Sequence, residues 1–316
     1  MLAQLKGGGS AECVIGLRSI PLLWVGGVAV LLIVLCLASA GCRSMCADNA
    51  GDESAESGGA IIGWVNRLVI ETLQTVKEEA ARSHVISHRG ASGEEIEHTL
   101  AAYDLAVLYG SKNLEQDVVI SKDGTLYVSH DLSANRLTGV NREYSEMSDK
   151  EIDSLSTEDG QRILKLADVL SRYKGAVTFV VELKSSGETA AFVGAVKAAH
   201  VEDSVIVQCF DLNTLEEVEA ICPDMPKMYL ISKQEAFDLA VNTPWIDIVA
   251  VDASLMDADN CSLAHQAGKL FNVWTLDTAE EIKHAIDLGV DSYFTNYTAK
   301  ALALEKEYRK PGLVER

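Results

Sequence analysis

The residues of this chain best suited to chemistry are two histidines with charged neighbours and three carboxylates at alternate positions of short apolar runs. The run 85–88 ends in His88-Arg89-Gly90-Ala91-Ser92-Gly93. A His beside an Arg at a strand end, followed by glycines that let a ligand approach the backbone, suits an anionic phosphate; the other reading is a structural turn with a surface His. Glu115-Gln116-Asp117 sets two carboxylates on one face of a strand, because side chains alternate along it. Acids turned the same way repel unless a cation or protons neutralise them. Val181-Glu182-Leu183-Lys184 repeats the spacing with one acid and one base. Glu115, Asp117 and Glu182 on neighbouring strands form an oxygen cage for one divalent cation, Ca2+ or Mg2+, or else pair with Arg89 and Lys184. His130-Asp131 closes a further apolar run, so His88 and His130 are the candidates for general acid and base near neutral pH. His84, His98, His200, His265 and His284 show no such convergence, although His98 lies nearest the first motif. Gln208 and Trp274 sit near strand ends, where they line a pocket or pack a core.

The elements that must hold these groups alternate. Apolar, β-branched runs at 85–88, 114–120, 176–184, 204–210, 227–232, 246–253, 270–276 and 290–295 read as strands, with helical patterns at 97–108, 189–199, 212–221, 234–241 and 279–288. Eight strands alternating with helices predict an α/β fold, a (β/α)8 TIM barrel over 85–312, and chemistry then belongs at the C-terminal strand ends. Runs such as VTFVVEL suit strands covered on both faces. The run 125–129 follows the turn signal Lys122-Asp123-Gly124 and predicts a hairpin arm folded back on the second strand, outside the barrel. An open doubly wound sheet is the competing topology, but no glycine-rich dinucleotide loop supports it.

Before the barrel, residues 1–18 form a short tail and 19–42 are 24 consecutive residues without a charge. At about 1.5 Å per residue such a helix crosses a hydrocarbon layer of about 30 Å, so one N-terminal transmembrane anchor is expected. A cleaved lipoprotein signal is the alternative, since Ala38-Ser39-Ala40-Gly41-Cys42 resembles a cleavage box, although Ser39 stands where Leu is usual. Residues 43–84 read as a Gly/Ser-rich linker and a juxtamembrane helix. Lys6 and Arg18 before the span favour a cytoplasmic N-terminus and an extracellular domain.

The 316 residues include 27 Lys plus Arg against 47 Asp plus Glu, a formal net charge of −20 that repels a phosphate backbone and argues against nucleic-acid binding. Nearly all of that acidity lies beyond the apolar run. Seven cysteines, an odd number without a paired CxxC pattern, argue against a disulfide scaffold or a zinc ribbon.

Taken together, these residues resemble the glycerophosphodiester phosphodiesterase family. HRGASGEEIEHT (88–99) is similar to the family opening, LEQDVVISKDGTLYVSHD (114–131) to its Glu-x-Asp, Asp-Gly and His-Asp blocks, and VELK (181–184) to its Glu-x-Lys strand. QCFD, VWTLD and GVDSYFTN resemble its looser later motifs, and the likeness spans 85–310. The resemblance implies hydrolysis of glycerophosphodiesters to sn-glycerol 3-phosphate and an alcohol. It implies His88 and His130 as acid and base, Glu115, Asp117 and Glu182 on the metal, Arg89 and Lys184 facing the phosphate, and Glu97 ordering the first loop. Four positions depart from the family pattern: Ile96 for Pro, His98 for Asn, Asp277 for the Asn after Trp-Thr, and Asn296 for the Asp after Thr. These departures bear on substrate preference more than on activity. A phospholipase D-like enzyme acting on lysophospholipids or sphingomyelin is the close rival, and an inactive tethered binding module the distant one.

Overall fold

Among the described residues nine short strands organise the fold, and eight of them close on themselves. The computed structural model describes residues 84–184 and 186–309. The strands are β1 (Val85–Ser87), β2 (Asn113–Ile120), β3 (Leu126–Val128), β4 (Thr178–Glu182), β5 (Val205–Cys209), β6 (Lys227–Ile231), β7 (Ile248–Asp252), β8 (Leu270–Trp274) and β9 (Ser292–Thr295). Parallel pairing runs β1-β9-β8-β7-β6-β5-β4-β2, and β1 pairs with β2 to close the barrel. The expected TIM barrel is therefore the fold. Its strands lie where the β-branched runs put them, with ends trimmed by a residue or two, except that β2 begins one residue early, at Asn113.

Helices cover the outside: α1 (Leu100–Leu108), α2 (Asn135–Thr138), α3 (Asp149–Ile152), α4 (Leu166–Tyr173), α5 (Thr189–Ala199), α6 (Leu212–Ile221), α7 (Gln234–Val241), α8 (Ala258–Gln266), α9 (Ala279–Leu288) and α10 (Thr298–Tyr308). The helix expected from residue 97 begins at Leu100, because Thr99 caps it by accepting from the Ala102 backbone N–H at 3.2 Å. Residues 97 and 98 are thereby left in the loop that enters the site.

Alternation along the strands separates two cores. Phe179 and Val181 of β4 face the helices, whereas Val180 packs inside the barrel with Ile86, Met228, Leu230, Ala250 and Phe294. Glu115, Asp117 and Glu182 share the inward parity. Register then levels the polar groups: Asp117 pairs with Glu182, and Glu182 with Gln208.

β3 pairs antiparallel with β2, Val118 opposite Val128 and Ile120 opposite Leu126, so the predicted hairpin arm is present. Gly124, at φ +87°, makes its turn. The insertion after it has a core of its own, with Val119, Tyr127, Tyr144, Met147 and Ile152 buried together. Ser148 and Glu151 form a capping box at α3, and Asp149 accepts from Ser121 Oγ at 2.5 Å and Thr125 Oγ1 at 2.6 Å. This packing anchors the arm that carries His130.

Among the described residues no helix is long and apolar enough to cross a membrane. The expected span at 19–42, the linker and the juxtamembrane helix lie outside the described residues.

Candidate active site

The C-terminal strand ends bring most of the predicted residues to one rim. A cavity of about 180 Å³ is walled by His88, Arg89, Glu115, His130, Glu182, Gln208 and Trp274, with Phe210, Leu230 and Phe294 adding apolar surface. A larger groove of about 720 Å³ opens by Asn113, Thr178 and Val205, at the N-terminal ends of the strands. Glu202, Asp203 and Asp224 are on its wall but no histidine is, and barrel chemistry sits at the other end.

The loop after β1 is built on two left-handed residues, Arg89 at φ +59° and Gly90 at φ +85°. The turn aims the Arg89 backbone N–H at Glu115 Oε2, 2.7 Å away. A β-carbon at residue 90 would lie 2.7 Å from the Ala102 carbonyl carbon. Gly90→Ala is therefore expected to cost about 2–4 kcal/mol, read as a lower urea midpoint with an unchanged slope. A midpoint matching the parent would show that the loop relaxes freely.

The carboxylates occupy unequal environments. Asp117 accepts from Lys184 Nζ at 2.5 Å and His98 Nε2 at 3.0 Å, with Arg89 Nε at 3.3 Å. Burial opposes its charge, yet the His98 hydrogen bond and the Lys184 and Arg89 charges hold its carboxyl well below the usual range. Glu182 is pushed up to about 8 by burial and by the Asp117 charge, which Lys184, at 2.5 Å, only partly offsets. Glu115 is raised well above the carboxylate range by burial and Asp117, against Arg89. The sequence left open whether the acids serve a cation or pair with Arg89 and Lys184, and both bases do reach them. Asp117, Lys184 and Glu97 are not on the cavity wall. Glu97 bridges Arg89 at 3.1 Å and Arg136 at 2.7 Å. Burial opposes the Glu97 charge, but the Arg136 hydrogen bond and the Arg89 charge bring its carboxyl down to about 2.

Of the histidines, His88 is held low, to about 4, by burial and by the Arg89 charge, against the hydrogen bond with Asn296. His130 Nδ1 lies 2.8 Å from Asp131 Oδ1, and Asp131 is held in turn by Arg136 at 2.5 Å. His98 corrects the sequence reading, which placed it outside the convergence. Its ring is buried between Asp117 and Tyr103 Oη at 2.8 Å, turned inward by a left-handed backbone at φ +59°. The Glu-His-Thr block could have signalled this, because it aligns residue 98 with a family position inside the motif. Trp274 both lines the cavity and packs: its Nε1–H donates to Ala250 O at 3.0 Å and its ring meets Phe210 edge-on at 5.5 Å. Asp277 and Asn296, expected to bear on substrate, stand behind His88 and not on the cavity wall.

Residues 88–300 match the Glycerophosphoryl diester phosphodiesterase family. The chain belongs to that family. It is 25% identical over 253 residues to the glycerophosphodiester phosphodiesterase of Bacillus subtilis, covering 71% of this chain and 86% of the relative. The glycerophosphodiester phosphodiesterase of Caldanaerobacter subterraneus is 28% identical over 236 residues, covering 67% of this chain and 93% of its own length. A Thermotoga maritima glycerophosphodiester phosphodiesterase structure superposes with a TM-score of 0.62 at 25% identity, covering 70% of this chain and 97% of that one. An Oleispira antarctica phosphodiesterase, solved in complex with the product sn-glycerol-3-phosphate, superposes with a TM-score of 0.65 at 22% identity, covering 72% of this chain and 98% of its own, a likeness of fold. A lysophospholipase D of Rattus norvegicus is 45% identical over 71 residues, 22% of this chain and 23% of that protein.

Proposed function

We propose that this chain hydrolyses glycerophosphodiesters to sn-glycerol 3-phosphate and an alcohol, using one divalent cation and two histidines at the barrel mouth. The observation that carries the reading is the meeting of His88 and His130 with Glu115 and Glu182 on one small cavity. Family membership supports the reaction class.

The donor set fits a hard cation. Glu115, Asp117 and Glu182 offer oxygen only, and the buried Gln208 Oε1 beside Glu115 has no hydrogen-bond partner among the described residues. Those carboxylates would hold Ca2+ or Mg2+, which when bound supplies charge neutralisation at a phosphoryl oxygen. Arg89 reaches the cavity wall from its carboxylate partners and meets the remaining phosphate charge. His88, neutral at pH 7, accepts the proton of the attacking hydroxyl, either the glycerol 2-hydroxyl or water. His130, in hydrogen-bond contact with Asp131, gives a proton to the leaving alkoxide oxygen. With the glycerol 2-hydroxyl attacking, its O–P bond forms as the P–O bond to the alcohol breaks. Water then opens the cyclic glycerol phosphate with the two histidines in exchanged roles, which resets both. With water attacking, sn-glycerol 3-phosphate forms directly, and His88 returns its proton to solvent while His130 takes one up.

The test is glycerol 3-phosphate release from glycerophosphocholine and glycerophosphoethanolamine with Ca2+, with Mg2+ and with EDTA. Release that EDTA abolishes is expected. Release unaffected by EDTA removes the metal from the reading, and no release with either ion removes the substrate class. A second reading, lysophospholipase D action, is favoured by Phe210, which lies half-exposed against Trp274 at the cavity edge, where an acyl chain could rest. Preference for intact lysophosphatidylcholine over glycerophosphocholine would select it. The uncharged run at 19–42 supports a membrane tether for this domain, with the acidic barrel on the outer side.

A further inference from the structure

Behind His88 lies a hydrogen-bond chain whose directions follow from which atoms can donate. Asp277 comes after β8 and Asn296 after β9. Through Oδ1 the Asp277 carboxylate accepts from the Asn296 backbone N–H at 2.8 Å, and through Oδ2 from the Asn296 side-chain Nδ2 at 2.6 Å. An ionised carboxylate only accepts, so the amide is turned with its nitrogen toward Asp277; the reverse orientation would press two acceptor oxygens together. Asn296 Oδ1 is thereby aimed at His88 Nδ1, 2.7 Å away. An amide oxygen also only accepts, so the ring hydrogen of neutral His88 sits on Nδ1 and the lone pair on Nε2. Ser92 Oγ does not disturb this direction: it lies 2.8 Å from the same amide oxygen and 2.7 Å from the His88 carbonyl oxygen, and donates to either.

We propose that Asp277 and Asn296 act together as positioning residues that lock His88 in the tautomer with Nδ1 protonated and Nε2 free to accept a proton. The two residues are also the two later departures from the family pattern, Asp where Asn is usual and Asn where Asp is usual. In contact, they read as a single Asp–Asn pair exchanged between strand ends. The ring still meets an acceptor at Nδ1, but the negative charge is one link further away. Reversing the pair should therefore be tolerated where either single change is not. Asp277→Asn leaves two amides, and Asn296 is then free to offer Nδ2 to the ring. Asn296→Asp sets two carboxylates against each other at hydrogen-bond distance.

This inference rests on His88 being the proton acceptor proposed above, and its experiment separates the two ideas. Ring nitrogen NMR shifts of His88 are recorded on the 15N-labelled full-length protein, together with kcat and KM for glycerophosphocholine, for the parent, Asp277→Asn, Asn296→Asp and the double exchange. The parent is expected to show the Nδ1–H tautomer. Asp277→Asn is expected to show a mixture of tautomers and a kcat lower by about tenfold or more at unchanged KM. Asn296→Asp should lose a comparable factor, and the double exchange should return both tautomer and kcat close to the parent. A clasp that only braces the backbone of residue 296 would lower the melting temperature of Asp277→Asn and leave the tautomer and kcat alone, which overturns the proposal. So would a double exchange no better than its weaker single. The tautomer is read without turnover, so a parent that releases no glycerol 3-phosphate yet shows Nδ1–H sinks the proposed function and not the lock.

Discussion

Replacing His130 or His88 by alanine is expected to lower kcat by about 10²–10⁴, with KM and metal binding near those of the parent. Each ring transfers a proton in the transition state, and neither is among the groups that would hold the cation. His88 is held down to about 4 by burial and by the Arg89 charge, so it stays neutral well below the usual histidine range. The base form is present above that value, and the acid limb that His88 sets on kcat/KM is expected near pH 4 and not near 6.5. The sign for stability agrees: a ring lowered on folding contributes fully above its unfolded value near 6.5 and loses that contribution as pH falls toward about 4. Initial rates from pH 4 to 9 on the parent and both variants test this. An unchanged kcat in His130→Ala would remove it from the reaction.

The second large effect concerns Lys184. Its ammonium sits 2.5 Å from both Asp117 Oδ1 and Glu182 Oε1, and only 14% of its side chain is exposed. Lys184→Met keeps the apolar stem and deletes the charge, leaving two buried acids facing each other. Breaking a buried pair in this way is expected to cost about 3–5 kcal/mol. At pH 7 the cost falls on Asp117, which is held well below its usual range and is ionised, since Glu182, at about 8, is already mostly protonated. It should shrink at lower pH as acid neutralises the Asp117 carboxyl that has lost its ammonium partner. Urea unfolding at pH 7 and at pH 4 measures both. Ca2+ or Mg2+ should restore part of the loss at pH 7, because a divalent cation would replace the missing charge. A cost below about 1 kcal/mol at pH 7 would mean that the trio behaves like an exposed pair.

Much of this architecture follows from local pattern. β-Branched runs separated by helical periodicity are read within ten or so residues, and strand alternation alone turns Glu115, Asp117 and Glu182 to the same side. The barrel and its inward acids were therefore visible before any contact was known. The short helices α2 and α3 were not, because a single turn carries too little periodicity to stand out, and their stability comes from the insertion core around Tyr144 and Ile152.

His98 shows where local pattern stops. Hydrophobic periodicity does not separate it from a surface histidine, and only the Glu-His-Thr block hints at its place; a left-handed backbone and the register of β2 bring it onto Asp117. Asp277 and Asn296, two unrelated substitutions along the chain, become one contact only when β8 and β9 lie side by side. The His88–Asn296 bond joins residues 208 apart. Side-chain type and spacing specify which strands form and which way they face. Which donor meets which acceptor across the barrel depends on closure, register and loop backbone, and only the tertiary structure decides these, because each such bond links groups that no local rule relates.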